Sequence, residues 1–123
     1  MNFLTAHSLA ETTPLAAQQI VERLLAQSPH SPSLLLVYFT QAHDAAVLRR
    51  VLKSRFPDVR LIGCSSCGGI LTQTGHHGLL GWSLAVAALY DDKGAYGVAG
   101  QAGGQLDVRQ LLRRAIADGG RPG

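Results

Sequence analysis

Charge, aromatic rings and long apolar runs are all scarce in this chain. Charged residues make up 15% of the 123, and no block of one sign occurs, which sets the chain apart from disordered acidic or basic tails. The longest apolar stretches, residues 34–39 and 84–89, fall far short of the ~20 residues that a spanning helix needs, so no membrane partner is expected. No positively charged leader precedes an apolar stretch of signal-peptide length. Secretion is therefore not indicated, and a cytoplasmic location is the expectation. Two cysteines in a reducing compartment are thiols rather than a structural bridge. Aromatics are only 6%, and none interleaves with the densest basic group, Arg49, Arg50, Lys53 and Arg55. A stacking platform for single strands lacks its parts, helical spacing puts the basic group on a solvated face, and no nucleic acid partner is expected.

What the chain does have is apolar substance, 46% of its residues, and a length at which a domain buries roughly two-thirds of the surface it exposes when unfolded. One α/β domain over residues 1–118 is expected, with residues 119–123 as a disordered tail. Residues 3–8 read as a short first strand. Thr13 followed by Pro14 has the chemistry of a helix start, and Leu15, Ala16, Ile20, Val21, Leu24 and Leu25 share one helical face until Ser28 and Pro29. Residues 34–39 are apolar without alternation, the pattern of a central strand covered on both faces. Asp44 caps a second helix with Val47, Leu48, Val51, Leu52 and Phe56 on its apolar side, and residues 59–62 follow as another strand.

Strand, helix and strand within about thirty residues make a βαβ unit with parallel strands. Trp82, Leu84, Val86, Ala88 and Tyr90 then alternate with smaller residues up to a turn at residues 91–94, and residues 95–99 are expected to return as an antiparallel hairpin. Asp107 caps a last helix carrying Val108, Leu111, Leu112, Ala115 and Ile116 on one face, with Gly119 as its stop. The expected fold is thus α/β, a mixed β-sheet built from a βαβ unit plus an antiparallel hairpin, with helices packed on the sheet.

The chemistry gathers at Gly63-Cys64-Ser65-Ser66-Cys67-Gly68-Gly69, read as a turn at the carboxyl end of a parallel strand, where open α/β sheets bind ligands. Glycine lets backbone approach a ligand, amides of small residues can converge on a carboxylate or phosphate, and serine hydroxyls add donors. Thr40 and His43, at the end of the preceding strand, are expected beside this turn. Cys64 and Cys67 form a C-x-x-C that could serve redox chemistry, but two glycines directly after Cys67 are a poor start for the helix that lowers a thiol pKa. Zinc would need His76 and His77 as well, and neighbours on an extended strand point to opposite faces. Cys67 stands where a nucleophile elbow requires glycine, and no lysine follows Gly68 or Gly69 as a phosphate loop requires. No catalytic residue is assigned, and a non-enzyme is expected.

The order of elements and the run from Leu61 to Gly68 resemble the N-terminal part of FIST sensory domains, which carry G-[CS]-S-[ST]-x-G-E after a β-strand. The resemblance extends over residues 3–116, with Gly69 standing where the family often has an acidic residue. It implies a non-catalytic sensory and signal-transduction module that binds a small ligand, such as an amino acid, with Gly63, Ser65, Ser66 and Gly68 in contact. Some relatives are haem-binding sensors of nitric oxide. No cofactor is expected, but haem held by His43, His76 or His77 is an alternative. A thiol redox protein is a second, and a truncated fragment acting only through association with another chain is a third. The partners implied are a small-molecule ligand and a downstream signalling protein such as a kinase or cyclase, with self-association as a homo-oligomer also open.

Overall fold

A threonine hydroxyl and a proline start α1 (Thr13–Gln27). The cap is Thr12, whose side chain accepts from the Leu15 amide, and Pro14 sits in the first turn where its missing donor costs nothing. The sequence placed the cap one residue later, on Thr13. The hydroxyl of Thr13 is instead committed across the fold, to His43 and to the Asp44 amide. Ala16, Ala17, Ile20, Val21 and Leu24 form the buried stripe, while Leu15 is exposed, so Ala17 stands where the periodicity had put a leucine. Asp44 caps α2 (Ala45–Arg55), its carboxylate accepting from Ala46 at 2.9 Å and Val47 at 3.1 Å. Leu48, Leu52 and the following Phe56 are buried, as their spacing requires.

The computed structural model describes residues 1–78 and 81–120. Four strands, β1 (Asn2–Ser8), β2 (Leu34–Thr40), β3 (Arg60–Ser66) and β6 (Leu84–Tyr90), form a sheet in the order β1-β6-β2-β3. β2 and β3 run parallel, and β6 is antiparallel to both of its neighbours, so the sheet is mixed. Two short strands, β4 (Ile70–Thr72) and β5 (Gly75–His77), form a separate hairpin. The fold is therefore α/β with a βαβ unit, an antiparallel hairpin and a mixed sheet, as the sequence led one to expect.

Three details differ. The hairpin is at residues 70–77, and residues 95–99 form no strand. The reason is topological: β6 is bonded on one side to β1 and on the other to β2, so it offers no free edge to a returning segment. After β6 the chain leaves through a turn at residues 91–94, where the Tyr96 hydroxyl donates to the Asp91 carboxylate at 2.7 Å.

The second difference concerns β2, which is covered by helices on one face only. The connections β1-α1-β2 and β2-α2-β3 step the same way across the sheet, so crossovers of one hand set α1 and α2 on the same side, where they touch. Leu35 and Val37 of β2, Leu84, Val86 and Ala88 of β6, and Ala6 of β1 complete the core beneath them. On the opposite face Phe3, Tyr38 and Ile62 remain 56%, 42% and 47% exposed.

The third is α3 (Val108–Asp118), whose cap Asp107 accepts from Gln110 as expected, but none of whose residues is buried. Arg60 holds it by an ion pair with Asp118 at 2.8 Å and by donating to the Asp118 carbonyl. Of the tail expected at residues 119–123, Gly119 and Gly120 close α3 by donating to Ala115 and Ala117, and residues 121–123 lie outside the described residues. No helix of the described residues is long and apolar enough to cross a membrane.

Gly63 lies opposite Val37 in the β2–β3 register, and a Cβ added there would collide with the Val37 carbonyl oxygen. Gly63→Ala should lower the unfolding free energy by about 2 kcal/mol, as overpacking against fixed backbone does. Asp44→Ala should cost about 1 kcal/mol through loss of the cap. Gly68→Ala, with open space around the glycine, should change little. Urea denaturation of the three variants checks the ranking.

Candidate functional site

β3 does not stop at Ile62. It continues through Gly63, Cys64, Ser65 and Ser66, paired in register with Val37, Tyr38, Phe39 and Thr40, and the chain turns only at Cys67, Gly68 and Gly69. This corrects the reading of residues 63–69 as one turn. Valine at 37 and phenylalanine at 39 keep β2 extended, and glycine at 63 lets β3 stay close beside it. Amides of an extended strand alternate in direction, so those of residues 63–66 do not converge on an anion. Alternation also divides the residues: Gly63 and Ser65 share the register of the core-facing Val37, while Cys64 and Ser66 share that of Tyr38 on the open face.

A hollow of about 590 Å³ lies on that open face, between the sheet and the β4–β5 hairpin. Its sheet side is formed by Thr5 and His7 of β1, Tyr38 of β2, Cys64, Ser65 and Ser66 of β3, and Ala85 and Ala87 of β6. Its other side is Gly69, Ile70, Leu71, Thr72 and Gln73. The space exists because β6 presents alanines on this face. Longer side chains at 85 and 87 would reach the hairpin and fill it.

The hairpin is held at both ends. At its base Ile70 is buried and pairs with His77, whose ring stacks on His7 with centroids 4.8 Å apart, and at its turn Gln73 donates to the Thr5 hydroxyl at 3.1 Å. Ser66 donates to the Gly69 carbonyl at 2.7 Å, closing the turn into β4, and Gly69 takes a φ of +87° that a side chain would resist. The His76 Nε2 lies 2.6 Å from the Gly68 carbonyl, which can only accept, so that nitrogen carries the proton.

Among the described residues no lysine, arginine, aspartate or glutamate lines the hollow; its polar groups are hydroxyls, a thiol, an amide and one imidazole. Such walls suit a net-neutral ligand with an apolar body. A bare anion would be buried without a counter-charge. The anion-binding chemistry expected from the sequence thus lacks both its converging amides and a cation.

A second, smaller hollow of about 270 Å³ lies beyond the strand end, lined by Thr40, Gln41, Ala42, Ser66, Cys67, Gly78 and Gly81. Ser66 borders both. Thr40 is buried, and its hydroxyl accepts from the Ser83 amide at 2.9 Å, which occupies it in joining β2 to the segment before β6. The two thiols are exposed, unbridged and divided between the hollows, Cys64 on the larger and Cys67 on the smaller. The Gln41 side-chain amide donates to the Cys67 sulfur at 3.0 Å.

His43 lines neither hollow. It is 6% exposed, with Nδ1 3.0 Å from the Thr13 hydroxyl. That hydroxyl accepts from the Asp44 amide, so its own hydrogen goes to Nδ1, and the ring proton resides on Nε2. The ring meets Trp82 edge to face at 4.9 Å. Burial holds its pKa below the ordinary 6.5. His43 thus ties α1, the start of α2 and Trp82 together, which corrects its expected place beside the glycine-serine segment. His76 and His77 are on β5 rather than in a loop, and they too line neither hollow. None of the three histidines named as alternative haem ligands therefore faces either hollow. Among the described residues no three His, Cys, Asp or Glu side chains gather as a metal site.

Of the residues expected at the site, Cys64, Ser65, Ser66 and Gly69 therefore share the larger hollow, Thr40 and Cys67 border the smaller, and Gly63 serves the β2–β3 contact. Sequence reasoning missed Thr5, His7, Tyr38, Ala85, Ala87 and the hairpin. The alternate small residues at 85 and 87 were the available signal, since a strand face lined by alanine leaves room above it.

A family model described as the FIST N domain matches residues 33–119. No curated protein and no solved structure matches the chain. The matched segment runs from just before β2 to the end of α3 and holds most of the hollow. Thr5 and His7 of β1 lie outside it.

Thr13→Val should destabilise the protein by about 1–3 kcal/mol, because it leaves the His43 Nδ1 and the Asp44 amide without their partner. His43 and His7 both have pKa values lowered by burial, so the unfolded chain binds more protons than the folded one below the ordinary 6.5. Stability should therefore fall as pH drops through that value, and His43→Phe should remove part of the fall. Urea denaturation at about pH 7.5 and about pH 5.5, either side of the histidine range, measures both effects.

Proposed function

Because the chain belongs to the FIST N domain family, whose modules are sensory, act in signal transduction and are generally non-catalytic, we propose that it is a receptor for a small, net-neutral ligand. The ligand sits in the hollow between the β4–β5 hairpin and the open sheet face. A neutral amino acid is the type of molecule that suits it. Its apolar side chain rests on Ala85 and Ala87, and its polar end meets the hydroxyls of Ser66, Thr5 and Thr72 and the amide of Gln73.

The observation that carries this reading is the alanine floor under a hairpin that is tethered at its tip. A cavity of about 590 Å³, apolar beneath and polar at its rim, has the size and character of small-molecule sites. A ligand that touches both sheet and hairpin stabilises the closed arrangement by its differential affinity alone, which gives the module a state to report. A downstream signalling protein, such as a kinase or cyclase, would read the position of the hairpin.

Calorimetry with a panel of neutral, acidic and basic amino acids tests the proposal. A neutral member is expected to bind more tightly than its charged counterparts. Ala87→Leu and Ala85→Phe should weaken it at least about tenfold, the effect of filling a pocket, while the far-UV spectrum stays unchanged. Equal affinity in the wild type and both filled variants would remove the hollow from the site.

A further inference from the structure

His7 and His77 come from distant parts of the chain, β1 and β5, yet their rings lie almost parallel, 12° apart in plane and 4.8 Å between centroids. The His77 Nε2 is held in that orientation by the hydroxyls of Thr72 at 3.0 Å and Thr74 at 3.1 Å. The stack joins β1 to the hairpin beside the larger hollow, which His7 lines from the sheet and Thr72, a partner of the His77 ring, lines from the hairpin. The hairpin leaves the sheet through Gly69 and returns through Gly78, both at positive φ, and Gly78 directly follows His77. Ile70, opposite His77 in the ladder, is buried, whereas Leu71 is 81% exposed.

We propose that the His7–His77 stack is a pH-operated clasp, holding the hairpin over the hollow while His7 is neutral and loosening it when His7 is protonated. As a control on access to a ligand, this rests on the hollow being the binding site. As a movement of the hairpin, it stands on the stack itself.

The groups facing His7 all push in one direction. From β5 comes His77, and from α1 comes Arg23, which donates to the His7 carbonyl. From β6, the residue across the ladder is the uncharged Ala85. Among the described residues the ion pair is Arg60–Asp118, at the other end of the sheet, so no carboxylate pairs with either ring. A charge on the His7 ring is disfavoured where the ring is partly buried, stacked on His77 and beside a guanidinium, and the hairpin can relieve this by swinging on its glycines. Burial first, then His77 and Arg23, hold the His7 pKa below 6.5, so the clasped form binds fewer protons than the released one. Acidification through 6.5 and below therefore favours release, and pH above that value favours closure.

Hydrogen exchange of the ligand-free full chain, followed by mass spectrometry at about pH 7.5 and about pH 5.5 and corrected for intrinsic exchange, decides the matter. Protection of residues 70–77 should fall about tenfold or more at the lower pH, while β2 and β6 stay protected. His7→Phe and, independently, His77→Phe keep a stacking ring without a charge and should hold protection constant across the two conditions. Equal loss in the wild type and both variants, no loss in the wild type, or a hairpin unprotected at both pH values would each overturn the clasp. Because no ligand is present, this result is separate from the amino acid panel. An absence of binders at about pH 7.5 would sink the receptor reading and leave the clasp answered on its own terms.

Discussion

Two crossovers that step in the same direction across a four-stranded sheet leave one of its faces without helices. This constraint governs what else the molecule can do. The helix side is filled in the ordinary way, with leucines, valines and isoleucine from α1, α2, β2 and β6 closing a dry core. The other side has no α-helical layer of comparable burial, since α3 is held by the Arg60–Asp118 pair and buries none of its own residues. Phe3, Tyr38 and Ile62 stay substantially exposed there. What covers part of this face is a six-residue ladder with a two-residue turn, too small to seal it.

A small hairpin over a sheet face lined by alanine produces a cavity rather than a core. Had β6 carried leucine or valine at 85 and 87, as it does at 84 and 86, the hairpin would have packed down and the space would have closed. The walls that remain are hydroxyls, a thiol, an amide and an imidazole, with no formal charge of fixed sign. These walls are polar without being charged. His7 is the one imidazole among the described lining residues, and burial lowers its pKa. The cover of this cavity is held by a few side-chain contacts, Gln73 to Thr5 at its turn and His77 to His7 at its base.

Local chemistry made much of this visible in the sequence. Asp44 and Asp107 cap their helices where short-range hydrogen bonding says they should, and Ile20, Leu24, Leu48 and Leu52 are buried where helical periodicity puts them. The parallel pairing of β2 with β3 followed from chain geometry alone. Errors arose where a neighbour in space outweighed a neighbour in sequence. Thr13 lost its capping role because His43 and Asp44 compete for its hydroxyl. Residues 63–66 extended into a strand because β2 offers them a ladder as far as Thr40. Residues 95–99 found no partner because both sides of β6 were already taken.

The amino acid order by itself determined the class of the fold, the caps of α2 and α3 and the family, since each rests on contacts a few residues apart or on a short motif, and it pointed to the candidate segment at residues 63–69. Tertiary structure decided where that segment faces and what joins it. Thr5 and His7 come to the hollow from β1, Ala85 and Ala87 from β6, and the hairpin arches between them, an arrangement spanning more than eighty positions. No local pattern encodes it, because which face of a strand is left open depends on the direction in which distant connections cross the sheet.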